Sequence, residues 1–243
     1  MSTPLLRITD LHFAYPGRPA TLKGLQLQVQ AGDRLGLIGP NGAGKTTLFF
    51  LACGLLSPTA GAIWLCDQPV QPGQFRPEIG LVFQNPEDQL FCPSVRDDVA
   101  FGPENLGLSP PAIAQRVAAA LAVTGVTDLA ERVPHQLSSG EQCMVAIATI
   151  LAMEPQLILF DEPSASLDLR ARRRLIQFLQ AAPQAYILSS HDWDLIRETC
   201  DRVLLLDQGQ IVAAGPPEQL LGDHALMTAH QLEVPLSLSR QQL

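Results

Sequence analysis

Apolar and polar residues alternate near the N-terminus of the chain. Residues 5–15 and 22–30 both follow a period of two, and in the second stretch Leu25, Leu27 and Val29 share one face. Such alternation is typical of strands with one buried and one solvated face. The pattern therefore predicts an antiparallel sheet at this end of the chain.

Further along, the apolar residues form short continuous runs. Runs of this kind are typical of strands that are buried on both faces, as in a mostly parallel sheet. The predicted buried strands cover residues 34–38, 79–83, 157–160 and 185–191. A hairpin is predicted over residues 203–212, around a Gln-Gly turn.

Helical signals dominate the segment between the second and third of these runs. Ser94 precedes a predicted helix that starts at Val95, and Ser109 with two prolines precedes another over residues 112–124. Shorter helices are predicted at 47–56 and 217–221, and residues 226–243 carry little pattern. The chain thus predicts strand-rich parts on either side of a mainly helical insertion.

Composition narrows the possible classes of protein. The chain has 243 residues, 47% of them hydrophobic, and a formal net charge of −8. An acidic field repels phosphate backbones, so nucleic acid is not expected as a partner. No apolar run approaches the roughly 20 residues that cross a bilayer, and the N-terminus does not resemble a secretory signal. The five scattered cysteines predict free thiols in a reducing cytosol.

The clearest motif is a phosphate-binding loop between a predicted strand and a predicted helix. Its residues are Gly39, Pro40, Asn41, Gly42, Ala43, Gly44, Lys45, Thr46 and Thr47. Glycines let successive backbone N–H groups point inward, and the following helix N-terminus favours anions. Lys45 adds a charge for the β- and γ-phosphates, and the Thr46 hydroxyl is a candidate Mg²⁺ ligand. The loop predicts a nucleoside triphosphate, ATP being the candidate cofactor together with Mg²⁺.

Polar side chains follow two of the predicted buried strands. Asp161 and Glu162 end the run 157–160, and His191 ends the strand that begins at residue 185. Because buried charge is costly, adjacent carboxylates at this place indicate function. We interpret Asp161 as a metal-organising group and Glu162 as the general base. Tyr15 allows two interpretations, packing against its strand or stacking on a nucleotide base.

These motifs occur in the order found in the ATP-binding cassette (ABC) ATPases, and the chain resembles that family up to about residue 221. The most specific element is Leu137-Ser138-Ser139-Gly140-Glu141, which is similar to the family signature Leu-Ser-Gly-Gly-Gln. From its residues alone, this stretch is also a helix N-cap. A narrower resemblance, in residues 13–16, 82–91 and 98–103, is to the ATPases of energy-coupling-factor importers, including the cobalt and nickel uptake group.

The family resemblance implies an α/β fold. It combines a P-loop NTPase core with a mostly parallel sheet, an N-terminal antiparallel β subdomain and an inserted helical subdomain. One ABC ATPase domain is expected over residues 1–243. Residues 1–84 and 156–243 form its nucleotide-binding core lobe, and residues 85–155 form the helical subdomain that bears the signature.

The same resemblance implies roles within the subunit's own site. Tyr15 stacks on adenine, and Lys45 and Thr46 hold phosphate and Mg²⁺. Gln84 touches the metal and the attacking water, and His191 contacts the γ-phosphate.

A second subunit, identical or related, is implied by the signature. In the family, subunits pair head to tail, so that Ser138 and Gly140 of one chain close on ATP held by the other. Asp168 then lies across the dimer interface. Two departures affect this part: Ser139 stands where glycine is usual, and Glu141 where glutamine is common. Cys143 and Met144 also replace the polar and arginine residues often found there.

The predicted function is therefore that of the ATPase subunit of an importer for a transition metal ion or a vitamin, peripheral on the cytoplasmic face of the membrane. An integral membrane subunit is the expected partner, docked through the apolar pair Leu90-Phe91 in the polar segment after Gln84. The alternative is a soluble ABC-type ATPase that acts as a mechanical or assembly factor. A small-molecule phosphoryl transferase would not need residues 137–141.

Overall fold

Two sheets and a set of helices build the fold. A computed structural model describes residues 3–235 and 238. Its strands are β1 (Leu6–Ala14), β2 (Ala20–Val29), β3 (Arg34–Ile38), β4 (Ala60–Leu65), β5 (Gln68–Pro69), β6 (Ile79–Val82), β7 (Leu157–Asp161), β8 (Ala185–Ser189), β9 (Arg202–Asp207) and β10 (Gln210–Gly215). Its helices are α1 (Lys45–Ala52), α2 (Val95–Asn105), α3 (Pro110–Thr124), α4 (Ser139–Leu151), α5 (Leu169–Ala181), α6 (Trp193–Thr199), α7 (Pro217–Gly222) and α8 (His224–Ala229).

The smaller sheet is antiparallel and has the order β2-β1-β4-β5. The larger sheet has the order β10-β9-β3-β8-β7-β6, and all its pairs are parallel except β9 with β10. This confirms the predicted α/β fold with a mostly parallel sheet and an N-terminal antiparallel sheet.

Alternation persists inside the continuous apolar runs, because both faces of the larger sheet are covered. In β7, Leu157 and Leu159 pack into the core under the antiparallel sheet, whereas Ile158 and Phe160 pack against the helices on the other face. β8, with Tyr186 and Leu188 on the helical side, follows the same rule. Burial on both faces explains why the sequence of these strands shows no period of two.

Only helices lie between β6 and β7 in this described part of the chain: α2, α3, α4 and three short 3₁₀ turns. Their buried residues, such as Val99, Leu121 and Ile147, belong to the same apolar cluster as Phe160 of the sheet. The helical segment is therefore packed continuously onto the larger sheet.

Several elements differ from the sequence predictions. The helix after the phosphate loop runs from Lys45 to Ala52 rather than over 47–56. α5 and α6 were not predicted, and α8 forms where little pattern is seen. Residues 236–237 and 239–243 of that C-terminal stretch lie outside the described residues. No helix of the described residues is both long and apolar enough to cross a bilayer.

All five cysteines are free thiols. Burial raises the pKa of Cys53, Cys143 and Cys200 to about 12. For Cys92, burial and then the nearby Asp98 raise the pKa to about 11.

Candidate functional site

Four parallel strands end at one edge of the larger sheet, and the site is built there. β3 leads into the phosphate loop, β6 into Gln84, β7 into Asp161 and Glu162, and β8 towards His191. In the register of the sheet, Asp161 pairs with Ser189. Ligands of open α/β sheets bind outside the carboxyl ends of the strands, so this edge is the expected binding place.

Close backbone approach explains two glycines of the loop. Gly39 has φ +154°, and a Cβ atom there would lie 2.0 Å from the carbonyl oxygen of Leu206. Gly44 has φ +110° and forms the N-cap of α1, where a Cβ atom would meet Leu22 at 2.8 Å. A side chain at either place would force the loop out of its present path.

A cavity of about 1030 Å³ opens above the loop. Most of the predicted nucleotide-site residues line it: Tyr15, Asn41, Gly42, Ala43, Gly44, Lys45, Thr46, Thr47, Gln84, Asp161, Glu162 and His191. Gly39 and Pro40 do not line it; their carbonyl oxygens accept hydrogen bonds from Lys45 Nζ at 2.8 and 3.4 Å. The volume matches that of a typical small-molecule site.

Lys45 supplies the buried cation of this cavity. Its side chain is buried, and Nζ lies 3.3 Å from His191 Nε2 and 4.0 Å from Glu162 Oε1. Burial lowers the pKa of Lys45, while the charges of Glu162 and Asp161 act in the opposite direction. An ammonium group beside inward-pointing loop N–H groups can bind phosphate oxygens.

Asp161 is held from two sides. Its Oδ2 accepts a hydrogen bond of 2.7 Å from Thr46 Oγ1, and its Oδ1 accepts one of 2.7 Å from Ser189 Oγ. A hydroxyl and a carboxylate this close form a hard-oxygen donor pair, which suits Mg²⁺ when the remaining ligands are phosphate oxygens and water. No group of three or more His, Cys, Asp or Glu among the described residues could hold a metal by itself. The residues present therefore fit a metal that arrives with a nucleotide.

Glu162 adopts an unusual backbone conformation. Its φ is +49°, in the left-handed region that non-glycine residues rarely occupy. Its N–H donates to Ser189 O at 3.1 Å, and its Oε2 accepts from the His191 N–H at 3.1 Å. Oε1 is buried and lacks a hydrogen bond from any described residue, although His191 Nε2 is 3.4 Å away. A buried oxygen with free acceptor capacity can take a proton from a water molecule.

Tyr15 lies at the wall of the cavity. Its hydroxyl is 3.2 Å from Thr47 Oγ1, and its ring meets Phe13 edge to face with centroids 4.8 Å apart. The contact with Phe13 fits the packing interpretation. Its place in the cavity lining is compatible with the stacking interpretation as well.

Ser138, Gly140 and Asp168 lie elsewhere. They line a separate depression of about 810 Å³ that shares no lining residue with the cavity above the loop. Gly140 allows α4 to approach α5, because a Cβ atom there would lie 2.5 Å from the Cβ of Ala171. Asp168 caps α5 by accepting a 2.7 Å hydrogen bond from the Ala171 N–H. Within one subunit, these residues do not reach the phosphate loop's cavity.

The two signature departures make specific contacts. Glu141 completes a capping box: its Oε2 accepts from the Ser138 N–H at 2.8 Å and from Ser138 Oγ at 2.7 Å. These hydrogen bonds lower the pKa of Glu141. Ser139 Oγ donates to Ser166 O at 3.1 Å, which links the start of α4 to the segment before α5.

The segment after Gln84 is tied to α2 and α4. Gln89 accepts from the Phe83 N–H through Oε1 and donates from Nε2 to Ala146 O at 3.0 Å. The Phe91 N–H donates to the buried carboxylate of Asp98 at 3.1 Å. These bonds fix the backbone on both sides of residue 90.

The two members of the predicted apolar docking pair differ in exposure. Leu90 is partly buried and packs against the core. Phe91 is 66% exposed and meets the 45% exposed Phe101 edge to face, with ring centroids 5.0 Å apart. The exposed pair is therefore Phe91 and Phe101.

Ser189 is a site residue that the sequence did not single out. It is fully buried and touches both acidic residues. A polar residue at the end of an apolar strand, two places before His191, was the available signal.

Comparison with known proteins adds the family context. A family model described as ABC transporter matches residues 22–165. The Synechocystis protein sll0385, named as an ABC transporter ATP-binding protein, is 53% identical over 235 residues, which cover 97% of this chain and 83% of that protein. A Methanoculleus marisnigri protein named energy-coupling factor transporter ATP-binding protein EcfA is 42% identical over 238 residues, covering 95% and 86%.

A solved structure has the same fold over the whole length of both chains. It is that of cbiO1 from Clostridium perfringens, described as part of the ABC transporter complex cbiONQ. The TM-score is 0.84, with 31% sequence identity and full coverage of both chains.

Proposed function

Because this chain belongs to the ABC transporter family, and is thus an ATPase, we propose that it is the ATP-hydrolysing subunit of an energy-coupling-factor importer. Its solute is a transition metal ion, such as cobalt or nickel, or a vitamin. The names of the EcfA relatives and of the cbiO1 complex support this type of importer. The observation that carries the hydrolytic role is the meeting of Lys45, Asp161, Glu162 and His191 in one cavity.

The phosphates of ATP lie on the loop N–H groups at the start of α1, with Lys45 against the β- and γ-phosphates. Thr46, Asp161 and Gln84 would hold Mg²⁺, which would neutralise the charge that develops on the phosphates. Tyr15 provides an aromatic face for the adenine.

Hydrolysis uses the free oxygen of Glu162. A water molecule placed between this carboxylate and the γ-phosphate loses its proton to Glu162 as its oxygen bonds to phosphorus. The bond from the γ-phosphorus to the bridging oxygen breaks, which leaves ADP and phosphate. His191, which lines the same cavity, is the residue that we assign to the γ-phosphate.

A second ATPase subunit, identical or related, completes the site. Ser138, Gly140 and Asp168 line a depression of their own, so they are available to a nucleotide held by another chain. The N-terminus of α4 contributes the favourable end of a 13-residue helix there. Head-to-tail pairing brings each signature over the other subunit's phosphate loop.

The membrane partner docks on Phe91 and Phe101. These rings form an exposed apolar pair, with Phe91 at the end of the segment that follows Gln84 and Phe101 on α2. Docking there places the ATPase at the cytoplasmic face of the membrane as a peripheral subunit. Residues 85–91 then connect the membrane contact to Gln84 in the nucleotide cavity. Nucleic acid is not a partner, since the chain's net charge is −8.

The test combines purification with transport. The tagged chain is expressed with its neighbouring genes and isolated from detergent-solubilised membranes. The expected result is co-purification with an integral membrane protein. Reconstituted vesicles should take up labelled cobalt, nickel or a vitamin only with ATP, and a Lys45→Ala complex should not. An active ATPase that is recovered without any membrane subunit would contradict the importer and favour the soluble alternative.

A further inference from the structure

The end of strand β8 lies against both acidic residues of the cavity. Ser189 Oγ donates to Asp161 Oδ1 at 2.7 Å and is 3.3 Å from the Glu162 N–H. The carbonyl oxygen of Ser189 accepts from the same N–H at 3.1 Å. One residue therefore contacts the carboxylate of Asp161 and the backbone of Glu162.

We propose that Ser189 is a positioning residue that holds the Asp161 carboxylate for the metal–nucleotide and fixes the backbone of Glu162. This inference rests on the metal and nucleotide site of the proposed function.

Burial makes the Ser189 contact important. Ser189 has no exposed surface, and Asp161 is 5% exposed, so water cannot easily replace the hydroxyl. The other oxygen of Asp161 is held by Thr46, which is itself a candidate metal ligand. When Thr46 turns to the metal, the Ser189 hydroxyl becomes the remaining side-chain donor described for this carboxylate. Partners that orient a metal-binding carboxylate commonly change metal affinity by roughly 10–100-fold when they are removed.

The backbone contact adds a second effect. Glu162 has a left-handed φ of +49°, and such conformations persist only where neighbouring contacts hold them. Ser189 accepts a hydrogen bond from the Glu162 N–H, and the His191 N–H, just after β8, donates to the Glu162 side chain. Removal of the Ser189 hydroxyl leaves Oδ1 of Asp161 without this hydrogen bond, whereas the Ser189 carbonyl still accepts from the Glu162 N–H.

The adjacent serine offers a matched control. Ser190 is also buried, but its Oγ lies 3.4 Å from Ser164 Oγ and accepts from the Asp192 N–H at 2.9 Å. Both hydroxyls are thus buried and hydrogen-bonded, but that of Ser189 donates to a carboxylate, whereas that of Ser190 contacts a hydroxyl and a backbone N–H.

The experiment measures the affinity of a fluorescent, non-hydrolysable ATP analogue with Mg²⁺ and with EDTA. For Ser189→Ala, the Mg²⁺-dependent gain in affinity should fall about tenfold, and the affinity in EDTA should stay at the wild-type value. Ser190→Ala should keep the full gain. Ser189→Cys replaces the hydroxyl with a thiol, which is a weak hydrogen-bond donor, and should show the same loss. This variant replaces Ser189→Ala in the test if the alanine variant does not fold.

Three outcomes would overturn the proposal, and they can be told apart. If wild type gains affinity with Mg²⁺ and the Ser189 variants gain as much, Ser189 does not position the acid. The same holds if Ser190→Ala loses as much. If wild type itself shows no gain, the metal site of the proposed function fails and this inference fails with it.

Discussion

The hydroxyl of Ser138 donates a 2.7 Å hydrogen bond to Oε2 of Glu141, so its single proton is already used within the chain. To bind a phosphate of another subunit, Ser138 must give up this bond beside a negative charge. We expect Glu141→Gln to strengthen ATP-driven association several-fold, because the amide keeps an acceptor for the Ser138 N–H and removes the charge. Association is measured by sedimentation in a Glu162→Gln background. Equal or weaker association would show that the carboxylate does not oppose closure.

Glu162→Gln is expected to retain ATP binding and to lose turnover. The amide can hydrogen-bond water but cannot take its proton, and loss of a general base commonly costs about 10²–10⁴-fold in rate. Steady-state phosphate release and nucleotide affinity are measured on the same preparation. Turnover at the wild-type rate would remove Glu162 from the role of base.

Because the signature lies apart from the cavity above the phosphate loop, substitutions at the two places should affect different steps, dimer association and ATP binding. Ser138→Arg should obstruct association with a second subunit and leave ATP affinity of the monomer unchanged. Lys45→Ala should weaken ATP binding in the monomer itself. Both are compared as monomers and then in ATP-driven dimerisation, with identical and related partner chains. If Ser138→Arg removes monomer binding as fully as Lys45→Ala, the head-to-tail assignment is wrong.

Membrane association should depend on the exposed aromatic pair. Phe91→Asp with Phe101→Asp is expected to release the subunit from membranes without changing its ATP affinity, because a charge cannot replace a buried aromatic contact. Phe75→Asp is the matched control, since Phe75 is also an exposed phenylalanine, at 58%, but lies outside this segment. Leu90 is left intact because it is partly buried against the core. Flotation with membranes that matches the control would exclude this surface.

The Asp192–Arg172 pair predicts a pH-dependent contribution to stability. Burial alone would raise the pKa of Asp192, but hydrogen bonds from Arg172 and the Leu195 N–H outweigh it, and the pKa is lowered. A lowered folded-state pKa stabilises the protein above the ordinary value near 3.9, and this contribution disappears as the pH falls through the folded value.

Asp192→Asn should therefore reduce the free energy of unfolding by about 1–3 kcal/mol at pH 7, with a difference that shrinks below about pH 4. Urea unfolding between pH 7 and pH 3 measures it. Asp194→Asn, which changes a more exposed carboxylate of the same helix, is the control. A difference that is constant with pH would contradict the ionic origin.

Much of the fold was readable from local patterns. The buried strands, the phosphate loop and the acidic pair each carry a signal in consecutive residues. α5 was missed, although Asp168 is an N-cap and Leu175, Ile176, Phe178 and Leu179 form its buried face. Four arginines among residues 170–174 precede that face. In the sequence this charged run hides the apolar period of the helix, because the sequence does not show which arginine side chains point into solvent.

The remaining features depend on contacts between distant residues. Leu90 and Phe91 are both apolar, and only the packing of the helical segment shows that Leu90 is the more buried of the two. Ser189 lies beside the acidic pair because the register of β7 and β8 sets Asp161 opposite Ser189. Local periodicity does not show whether a loop side chain points to the core or to solvent. It also does not show the register of two strands, such as that which pairs Asp161 with a residue 28 positions later.

The raised pKa values of the cysteines also determine how the protein reacts with electrophiles. The thiolate is the reactive form, and at pH 7.5 a thiol with a pKa of about 11 is far less ionised than an ordinary one. A cysteine introduced at the 87% exposed Leu169, beside Asp168, would have a thiolate fraction on the order of 10²-fold higher than Cys92. Maleimide dyes would then label that position first, and association of two subunits could be followed by fluorescence without replacing the natural cysteines.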